Sequence, residues 1–249
     1  MKKIASILAV LLISLSAFSQ NSYEWQRVAM DSTFDNSKVY GVDEILAKYQ
    51  PKMGDLMKVV AYSDSEMNKS YPECGLSNLA TDAMLDFIQP FKTSDISGAI
   101  TITNFGGIRS SLPANAIRIY DIYSVFPFNN YIVTIKVKGS TIRKELNTYV
   151  AKNNFRALGG VKIVVKDGKM TKCDIEGKPL DDNKTYLIGT VDYLYLQGGD
   201  DRLSLGKGAL SSESHNNVFL RDVIVDYCKK ITKKGIKLSG KPDGRIMIK

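Results

Sequence analysis

Two short stretches of this chain combine glycines with side chains that can bind small ligands. The first is Asn104-Phe105-Gly106-Gly107-Ile108-Arg109, and the second is Pro127-Phe128-Asn129-Asn130. Paired glycines let a ligand approach the backbone closely, and an arginine offers a planar fork of donors that matches phosphate oxygens. Phe128 could stack on a flat base, while the amides of Asn104 and Asn130 could bond to its edge.

A third stretch, Gln197-Gly198-Gly199-Asp200-Asp201, adds a carboxylate beside two glycines. The carboxylate of Asp200 can accept two hydrogen bonds from a vicinal diol such as that of ribose. Tyr193 and Tyr195 lie just upstream and could supply a second aromatic face. Together the three stretches suit a ligand with a phosphate, a diol and a flat base.

Each stretch also has a purely structural interpretation, and these alternatives stay open at the level of sequence. The glycine pair could be a plain turn with Arg109 in a surface ion pair, because Gly-Gly loops are common. Phe128 could be a core residue at the start of a strand, and Asp200 could cap nearby loop amides. The presence of all three stretches in one chain favours a binding site.

Hydrophobic spacing predicts the elements that hold these stretches. Apolar residues recur at helical intervals from Cys74 to Ile88, which predicts a buried helix. The alternation in residues 100–103 predicts a strand that delivers Asn104 to its end. We interpret residues 131–137, which follow Asn130, as a strand. Gly139 is then expected to form a turn and Ser140 to cap a helix over residues 141–149.

The later part of the chain mixes hairpins with helices. Asp167-Gly168 between two alternating runs predicts a hairpin. We expect further strands over residues 185–190 and 245–248, and an amphipathic helix over residues 218–231. This irregular mixture predicts an α+β fold with one mixed-sheet domain rather than a doubly wound sheet.

Composition narrows the class of protein. The chain has 249 residues, 44% apolar and 24% charged, with a formal net charge of +8, which is typical of a globular protein. Its one histidine, His215, is expected to be solvated in a polar loop over residues 211–217. With a single histidine the chain lacks the cluster of ligands that a hydrolytic metal site needs, so we expect no catalytic residue and no metal ligand in it.

The lysines near the C-terminal end have no aromatic residues among them, so we interpret them as a solvated helix face and expect no nucleic acid partner. Cys74, Cys173 and Cys228 show no paired spacing. Three buried thiols are the favoured interpretation, and one disulfide with a free thiol is the alternative.

The N-terminal residues are typical of an exported protein. Lys2 and Lys3 precede an apolar run and then the small residues Ala17 and Ser19, a pattern that predicts a signal peptide over residues 1–19. An uncleaved anchor is the alternative, but the run is short for a membrane span. We therefore expect periplasmic or secreted localisation, with no membrane span. Residues 20–38 are interpreted as an irregular arm, and residues 39–249 as the folded domain.

The three stretches, in this order, closely resemble the C-terminal, substrate-binding domain of the 5′-nucleotidase / UDP-sugar hydrolase family. The hallmarks of that domain are an Asn-x-Gly-Gly-Ile-Arg loop, a Pro-Phe-x-Asn loop and a Gly-Gly-Asp-Gly loop. The resemblance extends from near Leu56 to Ile248, and includes the acidic start of the first buried helix at Glu73 and a closing strand at residues 243–246.

The resemblance implies roles in binding a nucleoside monophosphate, a nucleoside or a similar small ligand. It implies that asparagines contact the base, that two aromatic rings enclose it, that an arginine contacts phosphate or ribose, and that an aspartate binds the ribose hydroxyls. Leu194 stands at the family's offset for the second ring, so Tyr193 or Tyr195 would have to shift by one position. The implied substrate-binding residues are Asn104, Gly106, Gly107, Arg109, Phe128, Asn130, Tyr193 and Asp200.

The chain departs from the family pattern in ways that shape two hypotheses. Asp201 replaces a glycine, only Lys69 stands where the family often carries arginines, and the family's Asp-x-His and Gly-Asn-His-Glu metal motifs are missing. The first hypothesis is a binding domain for nucleotide catabolism, inactive as an isolated chain, that is completed by a separate metallophosphoesterase subunit. In it, divalent metals are expected only in that partner, with no cofactor in this chain.

The second hypothesis is a non-catalytic periplasmic binding module for a nucleoside or a sugar derivative. Asp201 favours it, since a second carboxylate beside Asp200 would repel a phosphate. A scaffold that has lost its ligand is a third possibility.

Overall fold

The computed structural model describes residues 41–197 and 202–249, except for the side chains of Gln50 and Lys52. The predicted signal peptide and arm lie outside the described residues, as do Asp200 and Asp201. The chain divides into two units, Met1–Tyr49 and Gln50–Lys249. Helix α1, Val42–Met53, begins in the first unit, and all the elements considered below belong to the second.

The second unit combines strands and helices as the α+β prediction requires. The strands are β1 Val59–Ser63, β2 Ile96–Thr103, β3 Asn115–Arg118, β4 Tyr131–Lys138, β5 Ala157–Gly159, β6 Val161–Lys166, β7 Lys169–Ile175, β8 Lys178–Pro179, β9 Thr185–Val191, β10 Ala209–Phe219 and β11 Ile246–Ile248. The helices are α2 Gly75–Ile88, α3 Ile119–Val125, α4 Gly139–Ala151 and α5 Leu220–Lys233.

A five-stranded sheet forms the centre of this unit, with strand order β10-β4-β9-β2-β5. Strands β2 and β9 pair in parallel, whereas the other neighbours pair antiparallel, so the sheet is mixed. Nearly every residue of β2 and β9 is buried, as expected for strands at the centre of a sheet. A four-stranded sheet, β11-β6-β7-β8, and the pair β1-β3 complete the described strands.

Helix α2 confirms the clearest helix prediction. Its N-cap is Cys74, whose sulfur accepts the backbone N–H of Ser77, while the Ser77 hydroxyl accepts the N–H of Cys74 at 2.9 Å. This reciprocal pair is a capping box and satisfies two backbone donors at the helix start. A Cβ at Gly189 of β9 would lie only 3.1 Å from the Ile88 side chain, so the glycine allows α2 to pack closely on the sheet.

The hairpin prediction is also confirmed. Strands β6 and β7 are antiparallel, and the residues between them, Asp167 and Gly168, have φ values of 49° and 69°. Two consecutive positive φ values are typical of the type I′ turn that matches strand twist.

Two local predictions were wrong. Gly139 is not a turn residue and Ser140 is not the helix cap, because α4 begins at Gly139 and its N-cap is Lys138. A Cβ at this position would lie 2.0 Å from the carbonyl oxygen of Asp181, so close backbone packing is what requires glycine here. Residues 211–217 are not a loop, because they belong to β10, and residues 211–215 pair with β4.

The cysteine prediction is confirmed for three buried thiols: Cys74, Cys173 and Cys228 are all free and buried. Burial raises the pKa of Cys173 to about 11 and that of Cys228 to about 12. Both thiols are therefore protonated at neutral pH, and they serve as small apolar core residues.

Candidate functional site

A cavity of about 290 Å³ lies where three segments meet beside the central sheet. The segments are the loop after β2, the loop before β4 and a π-helix, Tyr193–Gln197, that follows β9. The residues that line the cavity are Asn104, Gly106, Gly107, Arg109, Phe128, Asn130 and Tyr193. These are seven of the eight residues predicted for the site, and the eighth, Asp200, lies outside the described residues.

The glycine loop is shaped around the side chain of Asn104. Strand β2 ends at Thr103, and Asn104, which is only 7% exposed, then leads into a single turn of 3₁₀ helix, Phe105–Gly107. A Cβ at Gly106 would lie 3.3 Å from Nδ2 of Asn104, and one at Gly107 would lie 3.4 Å from its Oδ1. Neither glycine has a positive φ. They therefore leave space for the Asn104 amide rather than bending the backbone.

Arg109 is exposed at the cavity, and its backbone is fixed. Its N–H donates to the carbonyl of Val125 at 2.8 Å, which joins the glycine loop to the end of α3. One guanidinium nitrogen, Nη1, is 3.4 Å from the carbonyl oxygen of Gly106. Among the described residues, Arg109 forms no ion pair within 4.0 Å. A guanidinium offers several donors in a geometry that suits an anion.

Two aromatic side chains are exposed at the cavity. Phe128 is 45% exposed and Tyr193 is 39% exposed, so Phe128 is not the core residue of the alternative interpretation. Leu194, at the offset expected for the second ring, is fully buried, and Tyr195 is partly buried against the core. The structure thus places Tyr193 at the cavity as the second aromatic residue.

Asn130 lies before the start of β4, and Asp192 lies after the end of β9. Asn130 is half-buried, and its carbonyl accepts the N–H of Leu220 at 2.9 Å. The carboxylate of Asp192 accepts the N–H of Tyr131 at 3.1 Å. Burial raises the pKa of Asp192, although hydrogen bonds from the Tyr193 and Tyr131 backbone partly oppose that effect. A lone aspartate at the end of a predicted strand carried no signal that would have identified it.

A second cavity of about 290 Å³ shares Arg109 with the first. It is lined by Asn68, Lys69, Ile108, Arg109, Ser110 and Ser111. The Lys69 ammonium donates to the carbonyl of Ile108 at 3.1 Å, which holds it beside the glycine loop. Two cationic side chains and two hydroxyls in one cavity form an environment that favours an anion.

A protein-family model matches most of this chain. The family model for the 5′-nucleotidase C-terminal domain matches residues 52–205, which is more than half of the chain. The chain belongs to the 5′-nucleotidase C-terminal domain family.

Longer proteins carry related segments. Protein UshA of Yersinia enterocolitica is 36% identical over 99 residues, which are 38% of this chain and 18% of that protein. The snake venom 5′-nucleotidase of Naja atra is 28% identical over 187 residues, which are 66% of this chain and 35% of that protein.

Solved structures show the same fold. A 5′-nucleotidase precursor from Thermus thermophilus superimposes with a TM-score of 0.65 at 22% identity, over 83% of this chain and 42% of that one. The NAD nucleotidase of Haemophilus influenzae gives a TM-score of 0.56 at 21% identity, over 92% of this chain and 47% of that one. The chain spans less than half the length of each of these relatives.

His215 is placed differently from its predicted position in a solvated loop. It lies in β10 of this 5′-nucleotidase C-terminal domain, half-buried, with its Nε2 3.1 Å from the Thr134 hydroxyl. Its ring centre is 4.6 Å from that of Phe91 and 5.5 Å from that of Phe87. His215 therefore packs against two phenylalanine rings on the edge strand of the sheet.

The described residues do not fit a two-metal site. Within residues 41–197 and 202–249, no group of three or more His, Cys, Asp or Glu side chains is arranged to hold a metal ion. No helix in the same part of the chain is both long enough and apolar enough to cross a bilayer.

Proposed function

We propose that this 5′-nucleotidase C-terminal domain binds a nucleoside 5′-monophosphate in the cavity between Phe128 and Tyr193. The observation that carries the proposal is the convergence of seven residues from separate segments on one cavity, next to a second cavity with two cations. An aromatic, amide-lined cavity beside a cationic one matches a ligand with a flat base at one end and an anion at the other.

The aromatic cavity would hold the base. A base between two exposed rings gains stacking energy of about 1–3 kcal/mol per ring contact. The amides of Asn104 and Asn130 are placed to exchange hydrogen bonds with the edge of the base, because both side chains line the cavity.

The cationic cavity would hold the phosphate. Arg109 lines both cavities, so one guanidinium can bond to phosphate oxygens while the base occupies the aromatic side. Lys69 adds a second positive charge near the same oxygens. We assign the ribose hydroxyls to Asp200, on the basis of the family motif alone.

Hydrolysis of the bound nucleotide is proposed to need a separate, exported two-metal phosphoesterase. In that reaction the oxygen of a water molecule bonds to phosphorus, and the bond between phosphorus and the ribose oxygen breaks to release nucleoside and phosphate. The sequence contains one histidine and neither metal motif of the family, which supports placing the metals in a partner. The role would be nucleotide catabolism in the periplasm or the extracellular space, in keeping with the predicted signal peptide.

A second candidate function is a binding module that does not take part in hydrolysis. Asp201 favours it, since a carboxylate next to the ribose-binding position would repel a phosphate. This module would bind a nucleoside or a sugar derivative as tightly as the corresponding phosphate ester.

Calorimetric titration of the mature chain with AMP, adenosine and UDP-glucose separates these functions. Tighter binding of AMP than of adenosine supports the nucleotidase role, and equal affinity supports the binding module. Exported metallophosphoesterases of the source organism are then assayed on AMP with and without this chain. A hydrolysis rate that never changes on addition of the chain contradicts a partnership.

A further inference from the structure

Phe128 and Asn130 line the cavity from the segment before β4 (the Phe128 wall), and Tyr193 lines it from the segment after β9 (the Tyr193 wall). Asp192 lies where β4 and β9 stop pairing, beside both segments. Strands β4 and β9 pair antiparallel as far as Ile132 and Val191. Beyond this pair, β4 begins at Tyr131, directly after Asn130, and β9 is followed by the π-helix that begins with Tyr193. Asp192 is the residue between the last paired residue of β9 and the aromatic residue at the cavity.

The Asp192 side chain takes over where backbone pairing stops. Its Oδ1 accepts the N–H of Tyr131 at 3.1 Å. This bond joins the residue that follows Asn130 to the residue that precedes Tyr193, and both Asn130 and Tyr193 line the cavity. Asp192 does not itself line the cavity.

We propose that Asp192 is a positioning residue that sets the separation between the Phe128 wall and the Tyr193 wall. The inference rests on the proposed function, because the separation matters only if a flat ring binds between the walls. Stacking falls off steeply as a ring loses contact with one face, since dispersion depends on close approach. Loss of the hydrogen bond from Tyr131 to Asp192 therefore lowers the affinity for the flat ring. It leaves the cavity that contains Lys69 and Arg109 intact.

Two substitutions separate positioning from general damage. Asp192→Ala removes both acceptor oxygens and leaves the N–H of Tyr131 without its partner. Asp192→Asn keeps a carbonyl oxygen at the same position, so it can still accept that N–H. Asp226→Ala is the matched control, because the Asp226 side chain is 77% exposed on α5.

The experiment measures the affinity of each variant for adenosine and for ribose 5-phosphate. Asp192→Ala is expected to weaken adenosine binding by about tenfold, which is 1.4 kcal/mol, and to leave ribose 5-phosphate within about twofold. Asp192→Asn is expected to restore adenosine affinity to within about threefold of the wild type.

Three results overturn the inference. Unchanged adenosine affinity in Asp192→Ala removes the positioning role. An equal loss for adenosine and ribose 5-phosphate indicates general damage to the site instead of wall spacing. If the wild-type chain binds neither compound, the proposed function fails, and the inference fails with it.

Discussion

The guanidinium of Arg109 lies beside the ring of Phe128, with 5.8 Å between the guanidinium carbon and the ring centre. A cation at this distance from an aromatic face is attracted to it by about 0.5–1 kcal/mol at an exposed site. The backbone N–H of Arg109 also bonds to Val125, three residues before Phe128. The anion-binding side chain and the stacking side chain are therefore held together by both contacts, and changes at one are expected to reach the other.

Removal of either aromatic ring should weaken base binding. Phe128→Ala and Tyr193→Ala are each expected to raise the Kd for adenosine by about 5- to 150-fold, since each loses a stacking contact of about 1–3 kcal/mol. Tyr120→Ala is the control, because Tyr120 is a similarly exposed aromatic residue, at 47%, on α3. Calorimetry checks this, and wild-type affinity in both site variants would exclude a ring-binding cavity.

Removal of the arginine should act mainly on the phosphate. Arg109→Ala is expected to raise the Kd for AMP by about 10- to 150-fold, because charge-assisted hydrogen bonds contribute about 1.5–3 kcal/mol. The affinity for adenosine should fall by less than about fivefold, because only the contact between the Arg109 guanidinium and the Phe128 ring is lost. Lys69→Ala should follow the same pattern with a smaller effect, since the Lys69 ammonium is also bonded to Ile108.

Lys178→Ala is the charge-matched control for both variants, because Lys178 is an exposed residue of β8 outside both cavities. Added salt should weaken the binding of AMP to the wild type but leave the binding of adenosine unchanged. Only AMP carries a phosphate charge, and salt screens its attraction to the cationic side chains. An equal loss of AMP and adenosine affinity in Arg109→Ala would rule out a phosphate role for this residue.

Close packing at the start of α4 predicts a stability effect remote from the cavity. Gly139→Ala would place a Cβ 2.0 Å from the Asp181 carbonyl oxygen, so the backbone must move. The expected loss in free energy of unfolding is about 2–3 kcal/mol. Gly54→Ala is the control, since its Cβ would meet Pro51 only at 3.4 Å. Urea unfolding followed by circular dichroism makes the comparison, and equal midpoints would contradict the packing argument.

Burial predicts that two of the thiols are inert in the native chain. With pKa values of about 11 for Cys173 and about 12 for Cys228, the thiolate fraction at pH 8 is about one in a thousand or less. Since the thiolate is the reactive form, both residues should resist Ellman's reagent until the chain unfolds. Reactivity rises only as the pH approaches those values. Mass spectrometry locates the label, and rapid native labelling of either cysteine would contradict the burial.

The sequence predicted the elements whose signal is local. The helix from Gly75 to Ile88 has regular apolar spacing. In the β6-β7 hairpin, Asp167 and Gly168 occupy the two turn positions that have a positive φ. The cavity residues could also be predicted, but through the family motifs, because spacing alone left a structural interpretation open for each of them.

The remaining features depend on contacts between distant parts of the chain. Strand β10 was missed because residues 211–217 are polar and mostly exposed, so backbone pairing with β4 defines the strand without apolar alternation. Gly139 was misinterpreted because the Asp181 carbonyl that excludes a side chain is distant in sequence. Asp192 gave no signal because its role comes from Tyr131, on a neighbouring strand.

An NMR titration of the ¹⁵N-labelled mature chain with AMP tests the proposed nucleotide site most directly. We expect amide shifts to cluster at Asn104, Arg109, Phe128, Asn130 and Tyr193, with smaller changes at Lys69. We expect Phe128→Ala to reduce these shifts at the same AMP concentration. Shifts confined to another surface, or no shifts at millimolar AMP, would contradict the assignment of this cavity as a nucleotide site.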